Sequence, residues 1–91
     1  MIYEIVFSED AVEDAKKLKR NEPQVYKKFV KLLLELQEHP ETGTGKPKPL
    51  GANRNGQWSR HITDKHRLVY EIENEKVKVL VLSAYGHYHD K

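Results

Sequence analysis

The apolar residues of this chain change period once, and that change constrains the fold more than any other feature. Ala11, Val12, Ala15 and Leu18, then Val25, Phe29, Leu32 and Leu36, recur at the three-to-four-residue spacing of a helix face. From Gln57 onward the period is two. Trp58, Arg60 and Ile62 alternate with Gln57, Ser59 and His61, and Leu68, Tyr70 and Ile72 alternate with Arg67, Val69 and Glu71. Helices gathered in one stretch and strands in another predict an α+β domain, with the helices on one side of a largely antiparallel sheet.

Local signals bound the elements. Ile2, Tyr3, Ile5, Val6 and Phe7 predict an opening strand, and Ser8 is placed to cap a helix whose first turn carries Glu9 and Asp10. That helix is expected to run to about Arg20. Asn21-Glu22-Pro23 restarts the chain into a second helix that ends before His39-Pro40, so the two make a hairpin. Four glycines and three prolines from Pro40 to Gly56 predict a long loop with no regular element. Thr63-Asp64-Lys65 joins two strands, and Asn74-Glu75 turns into a third. Val77, Val79 and Val81 against Leu80, Leu82 and Ala84 leave that third strand apolar on both faces, as for an interior strand. The expected whole is an N-terminal strand, a helical hairpin, and a three-stranded antiparallel meander completing a four-stranded sheet. Residues 1–91 are of a length for one domain.

Several classes of chemistry fall away. The chain has no cysteine, so disulfides, thiolate catalysis and cysteine-held metals are excluded. No apolar run approaches the roughly 20 residues of a membrane span, and no basic-then-apolar leader marks secretion, so a cytoplasmic protein is expected. Gly43-Thr44-Gly45-Lys46 lacks the spacing of a nucleotide-binding phosphate loop.

The overall charge of +2 hides an uneven distribution. Residues 42–70 carry Lys46, Lys48, Arg54, Arg60, Lys65 and Arg67 against Asp64 alone, while the segments on either side are slightly acidic. This middle segment is the expected face for a polyanion, with Lys46, Arg54, Arg60 and Lys65 as candidate RNA contacts. If the turn at residues 63–65 sets a simple hairpin register, His61 pairs with Arg67 on one sheet face. Ala84-Tyr85-Gly86-His87-Tyr88-His89 carries further imidazoles and phenols out of the last strand. Cutting RNA without a metal takes a base for the 2′-hydroxyl, an acid for the leaving 5′-oxygen, and cations around the phosphorus. Histidine, lysine and arginine supply those roles. His66, His87 and His89 lack a fixed ligand framework, so no metal or other cofactor is expected.

The order Gly45-Lys46-Pro47-Lys48-Pro49-Leu50, Gly56-Gln57-Trp58-Ser59-Arg60-His61-Ile62, His66-Arg67-Leu68-Val69-Tyr70 and Tyr85-Gly86-His87-Tyr88 closely resembles the YoeB (Txe) family of toxins in the RelE/ParE superfamily. The resemblance implies a RelE/ParE-like fold and an endoribonuclease that cuts mRNA in the ribosomal A site, paired with a YefM-like antitoxin. A homodimer is a further expectation. By position it makes Arg67 the phosphate-stabilising arginine, His87 the general acid and Tyr88 the terminal aromatic. Three departures stand out: Lys48 where the family usually has a glutamate proposed as general base, His61 where a second arginine is common, and His89-Asp90-Lys91 after the tyrosine. Lys48 and His61 are therefore alternative candidates for the base. A non-catalytic homologue that only binds antitoxin and ribosome is the competing expectation.

Overall fold

Ser8 ends the first strand and starts the first helix. Its hydroxyl accepts the Ala11 amide at 3.0 Å, satisfying one of the donors that every helix start leaves open, while Glu9 and Asp10 face the positive end of the helix dipole. The computed structural model describes residues 2–51, 56–76 and 78–84. Its elements are β1 (Glu4–Phe7), α1 (Glu9–Asn21), α2 (Pro23–Glu38), β2 (Lys48–Pro49), β3 (Gln57–His61), β4 (Arg67–Glu73) and β5 (Lys78–Ser83), with a single 3₁₀ turn at Asn74–Lys76. Pro23 opens α2 at a position where its missing amide costs nothing. Among the described residues no helix is long and apolar enough to cross a membrane.

The α+β class and the order of strand, hairpin and meander follow the expectation from periodicity, but among the described residues the sheet has five strands instead of four. Their order is β1-β5-β4-β3-β2. β1 pairs with β5 in parallel, and the remaining pairs are antiparallel. β5 is thereby an interior strand. The hairpin register is the simple one, with Trp58 opposite Tyr70, Arg60 opposite Leu68 and His61 opposite Arg67. Alternation then puts Ile62, Leu68, Tyr70, Ile72, Val79 and Val81 on one face, where they are buried against Ala11, Leu18, Phe29, Leu32 and Leu36 of the helices. The ring of Phe7 meets that of Phe29 edge-on at 6.3 Å.

The fifth strand arises from the breaker-rich stretch. Gly45 accepts the His61 amide at 2.7 Å, Lys48 and Pro49 pair with Ser59 and Trp58, and the Leu50 amide donates to the Gln57 carbonyl at 2.9 Å. Residues 45–50 thus run along the edge of β3. Prolines are tolerated there because one edge of an outermost strand needs no donors. Gly45 has φ +88°, and a side chain on it would lie 2.5 Å from the His61 carbonyl.

What holds this segment down is Arg60, which is fully buried. Its Nη1 donates to Glu35 Oε1 at 3.1 Å and to the Thr44 carbonyl at 3.2 Å. Its Nη2 donates to the carbonyls of His39 (3.0 Å), Thr42 (2.9 Å) and Pro40 (3.4 Å), and its Nε to the Tyr70 hydroxyl at 3.3 Å. The Tyr70 hydroxyl donates in turn to the Pro40 carbonyl at 2.8 Å. One planar group with five donors therefore closes the end of α2 and the following turn onto the sheet. Arg60→Met, which keeps bulk but removes every donor, is expected to cost about 3 kcal/mol, because it takes the charged partner from Glu35 and the donors from the part-buried carbonyls of His39, Thr42 and Thr44. Urea unfolding of the purified variant measures this.

Candidate functional site

The sheet face turned away from the helices carries Lys48, His61 and Arg67. Arg60 and Ile62 point into the core, so His61 between them points out, and Arg67 beside Leu68 does the same. The two are directly opposed across β3 and β4, and both are half-buried. One pleat along β3 sits Ser59, paired on one side with exposed Lys48 and on the other with Val69. Ser59 is buried, and its hydroxyl has no hydrogen-bond partner among the described residues, which leaves a donor beneath this face. Lys48, His61 and Arg67 are thereby gathered within one pleat repeat of each other.

Local structure explains why these side chains meet. At the β3–β4 turn, the Ile62 and Thr63 amides donate to the His66 carbonyl, and the Thr63 hydroxyl accepts the amides of Lys65 and His66. His66 lies between Thr63 Oγ1, 2.8 Å from Nδ1, and Glu22 Oε2, 3.3 Å from Nε2. The turn that leads into Arg67 is therefore tied to the junction of the two helices. On the other side of β3, Lys46 sits in the left-handed region at φ +53°, directly before Pro47. Both the side chain and the following proline oppose that conformation, at a cost of order 1 kcal/mol or more. The docked edge segment sustains it.

The other sequence candidates distribute unevenly. Lys46 and Lys65 are exposed, on the edge segment and in the β3–β4 turn. Arg54, His87 and Tyr88 lie outside the described residues. Arg60 is a correction: the expectation that it touches RNA fails, because its guanidinium is 0% exposed and spent on internal acceptors. His66, considered above as a metal ligand, is instead engaged by Thr63 and Glu22. Glu35, Thr44 and Tyr70 matter to the site through Arg60 and escaped sequence reasoning. Glu35 in particular reads as one more exposed carboxylate on α2.

The titration of this anchor follows from its contacts. The hydrogen bond from the Thr44 hydroxyl (2.7 Å) holds the Glu35 carboxyl below the ordinary carboxylate range, helped by the Thr44 amide and the Arg60 charge and opposed by partial desolvation. Burial pushes the Tyr70 phenol above its ordinary value, with the Arg60 hydrogen bond and charge working against that rise.

The molecule is a small α+β domain with one sheet face covered by a helical hairpin and the other presenting clustered cations. The matching family model, over residues 7–88, is the YoeB-like toxin of bacterial type II toxin–antitoxin systems. Toxin YoeB of Escherichia coli (strain K12) is 33% identical over 84 residues, covering 92% of this chain and 98% of its own. Among solved structures, the YoeB/ParE toxin from Agrobacterium tumefaciens superposes with a TM-score of 0.87 at 29% identity, over 93% of this chain and 99% of that one. YoeB from Staphylococcus aureus, 34% identical over 97% of this chain and all of its own, superposes with a TM-score of 0.85 as a dimer and 0.81 in a YoeB–YefM complex. The chain belongs to the YoeB-like toxin family.

A group whose carboxyl is depressed in the fold contributes stability above the unfolded carboxylate range and loses it as pH falls through the folded value. Acid titration of unfolding is therefore expected to show wild type losing stability more steeply than Glu35→Gln below about pH 4.5. Parallel curves for the two proteins, followed by urea midpoints at each pH, are the opposite result.

Proposed function

We propose that this protein is the toxin of a type II toxin–antitoxin system and acts as a ribosome-dependent mRNA endoribonuclease that inhibits translation in the cytoplasm. The observation that carries this reading is the outward cross-strand pair His61–Arg67 with Lys48 one pleat away. His61 takes the proton of the 2′-hydroxyl, whose oxygen attacks the adjacent phosphorus and forms a 2′,3′-cyclic phosphate. Arg67 and Lys48 stabilise the extra charge on the phosphorane, and the bond to the 5′-oxygen breaks as that oxygen receives a proton. Family resemblance assigns the last proton to His87 and a supporting aromatic role to Tyr88. Lys46, Lys65 and Arg54 contact flanking phosphates. Nitrogen and oxygen side chains carry every step, with no metal required.

His61 is favoured over Lys48 as the base because it stands directly across from Arg67, the arginine proposed to hold the phosphate. Lysine in place of the family's glutamate then adds positive charge instead of accepting a proton. A YefM-like antitoxin is the proposed partner, with support from the YoeB–YefM complex of the S. aureus relative. Its acidic, partly disordered segment folds over the cationic face and covers it. A homodimer is proposed on the strength of the dimeric S. aureus relative.

In a reconstituted translation reaction, the purified protein is expected to cut mRNA within ribosome-bound codons, unaffected by a chelator of transition metals. Arg67→Ala should lower the rate about 100- to 1,000-fold, and His61→Ala at least about 100-fold. Uncut mRNA with folded wild type, together with cleavage by Lys48→Glu, would make the natural chain a non-catalytic homologue.

A further inference from the structure

The molecule holds a second cationic surface that shares only its rim, at His61 and Lys46, with the cleavage face. Between α2 and the edge segment lies a cavity of about 670 Å³, lined on the helix side by Lys28, Lys31, Leu32 and Glu35. Thr44, Gly45 and Lys46 line it from the edge segment, and residues 61–64 line it from the β3–β4 turn. Lys28 and Lys31 are one turn apart on the same helix face, and both are exposed. The acidic group among these residues that lies nearest the buried cation is already compensated. Glu35 accepts from Arg60, the Thr44 amide and the Thr44 hydroxyl, so its charge is turned inward. Asp64 remains against three ammonium groups. Lys28, Lys31 and Lys46 have no ion-pair partner among the described residues.

Such a surplus of fixed positive charge recruits an anion, and the position of the cavity indicates which kind. His61 and Lys46 border both this cavity and the outward face bearing Arg67, so the two surfaces meet at the edge of β3. Along β3, His61 is the residue that joins Arg67 on the outward face to the lining of the cavity. The lining is mostly charged or polar, with Leu32 and Ile62 as its two aliphatic side chains. A phosphodiester backbone needs point charges in succession.

We propose that the α2 cavity is a phosphate-binding track for single-stranded RNA, in which Lys28, Lys31 and Lys46 grip the strand beyond the cleavage face. The proposal rests on RNA being the substrate and adds where the strand runs. Each lysine releases counterions when it meets a phosphate, so the track has a signature in salt dependence. For single strands the slope of log affinity against log salt falls by about 0.7 for each phosphate neutralised.

The test is fluorescence anisotropy with a single-stranded RNA 12-mer carrying 2′-O-methyl groups, which cannot be cleaved, over a series of salt concentrations. Lys28→Ala/Lys31→Ala is expected to reduce the magnitude of the slope by about 1.4 and to weaken binding about tenfold. Lys28→Arg/Lys31→Arg should restore both values, and Lys16→Ala/Lys76→Ala, which removes the same charge elsewhere, should leave the slope as in wild type. These are exposed positions, and circular dichroism of each variant confirms the fold. An unchanged slope in Lys28→Ala/Lys31→Ala overturns the track, as does an effect equalled by Lys16→Ala/Lys76→Ala. Weakened binding of a poly-glutamate peptide with RNA binding intact also overturns it and makes the cavity a peptide site. If wild type cuts translated mRNA while the track fails, the cleavage reading stands; if wild type neither binds RNA nor cuts, that reading itself fails.

Discussion

A buried guanidinium is the constraint on which the rest of this structure depends. Arg60 lies on the apolar face of β3 with no access to solvent, and one carboxylate, partly exposed, balances its charge. Burying such a group is costly unless all of its protons find acceptors. Here they find the carboxylate of Glu35, four carbonyls between His39 and Thr44, and the Tyr70 hydroxyl. The dependence runs both ways. A turn so rich in glycine and proline has few amides and carbonyls in regular pairing, and its inward carbonyls need donors. Arg60 supplies them, and the turn supplies the cage that makes its burial tolerable.

From that anchor the site follows. With residues 39–44 closed onto the sheet, the chain emerges at Gly45 beside His61 and runs along the edge of β3 as far as Leu50. Lys48 is delivered opposite Ser59, on the same face as His61 and Arg67. Lys46, held with a left-handed backbone, is delivered at the rim where the outward face meets the α2 cavity. Arg60, buried beneath the outward face, thus decides where the lysines stand. The helix side contributes through the His66–Glu22 contact, which ties the turn preceding Arg67 to the helical hairpin. Both borders of the candidate site are fastened to the helices, and its face is left free of them.

Much of this was legible in the sequence, and the part that was not has a common cause. Periodicity separated helices from strands, and the three-residue turn at 63–65 set the pairing of His61 with Arg67, because register in a short hairpin is a local property. The edge strand was not legible, since Lys48 and Pro49 form it through partners on β3 and propensity argues against it. The parallel pairing of β1 with β5 likewise joins the two ends of the described chain. Arg60 carried a signal that was present and misread. It alternates in step with Trp58 and Ile62, so the pattern already placed it on the core face, and its charge suggested a surface role. Glu35 and Thr44 could not be matched to it from spacing, because the cage closes only in three dimensions. His87 and Tyr88 rest on family resemblance alone.

The central claim is that Arg60 organises the edge segment more than it supports the sheet at large. Amide hydrogen exchange tests this directly, because three amides report the docking of the segment: Thr44 on Glu35, His61 on Gly45, and Leu50 on Gln57. In Arg60→Met under native conditions, these three should exchange much faster than in wild type, while the Ser8 amide, bonded to the Val81 carbonyl, keeps more of its protection. Unchanged exchange at Thr44, His61 and Leu50, or an equal loss at these sites and at Ser8, would contradict the account.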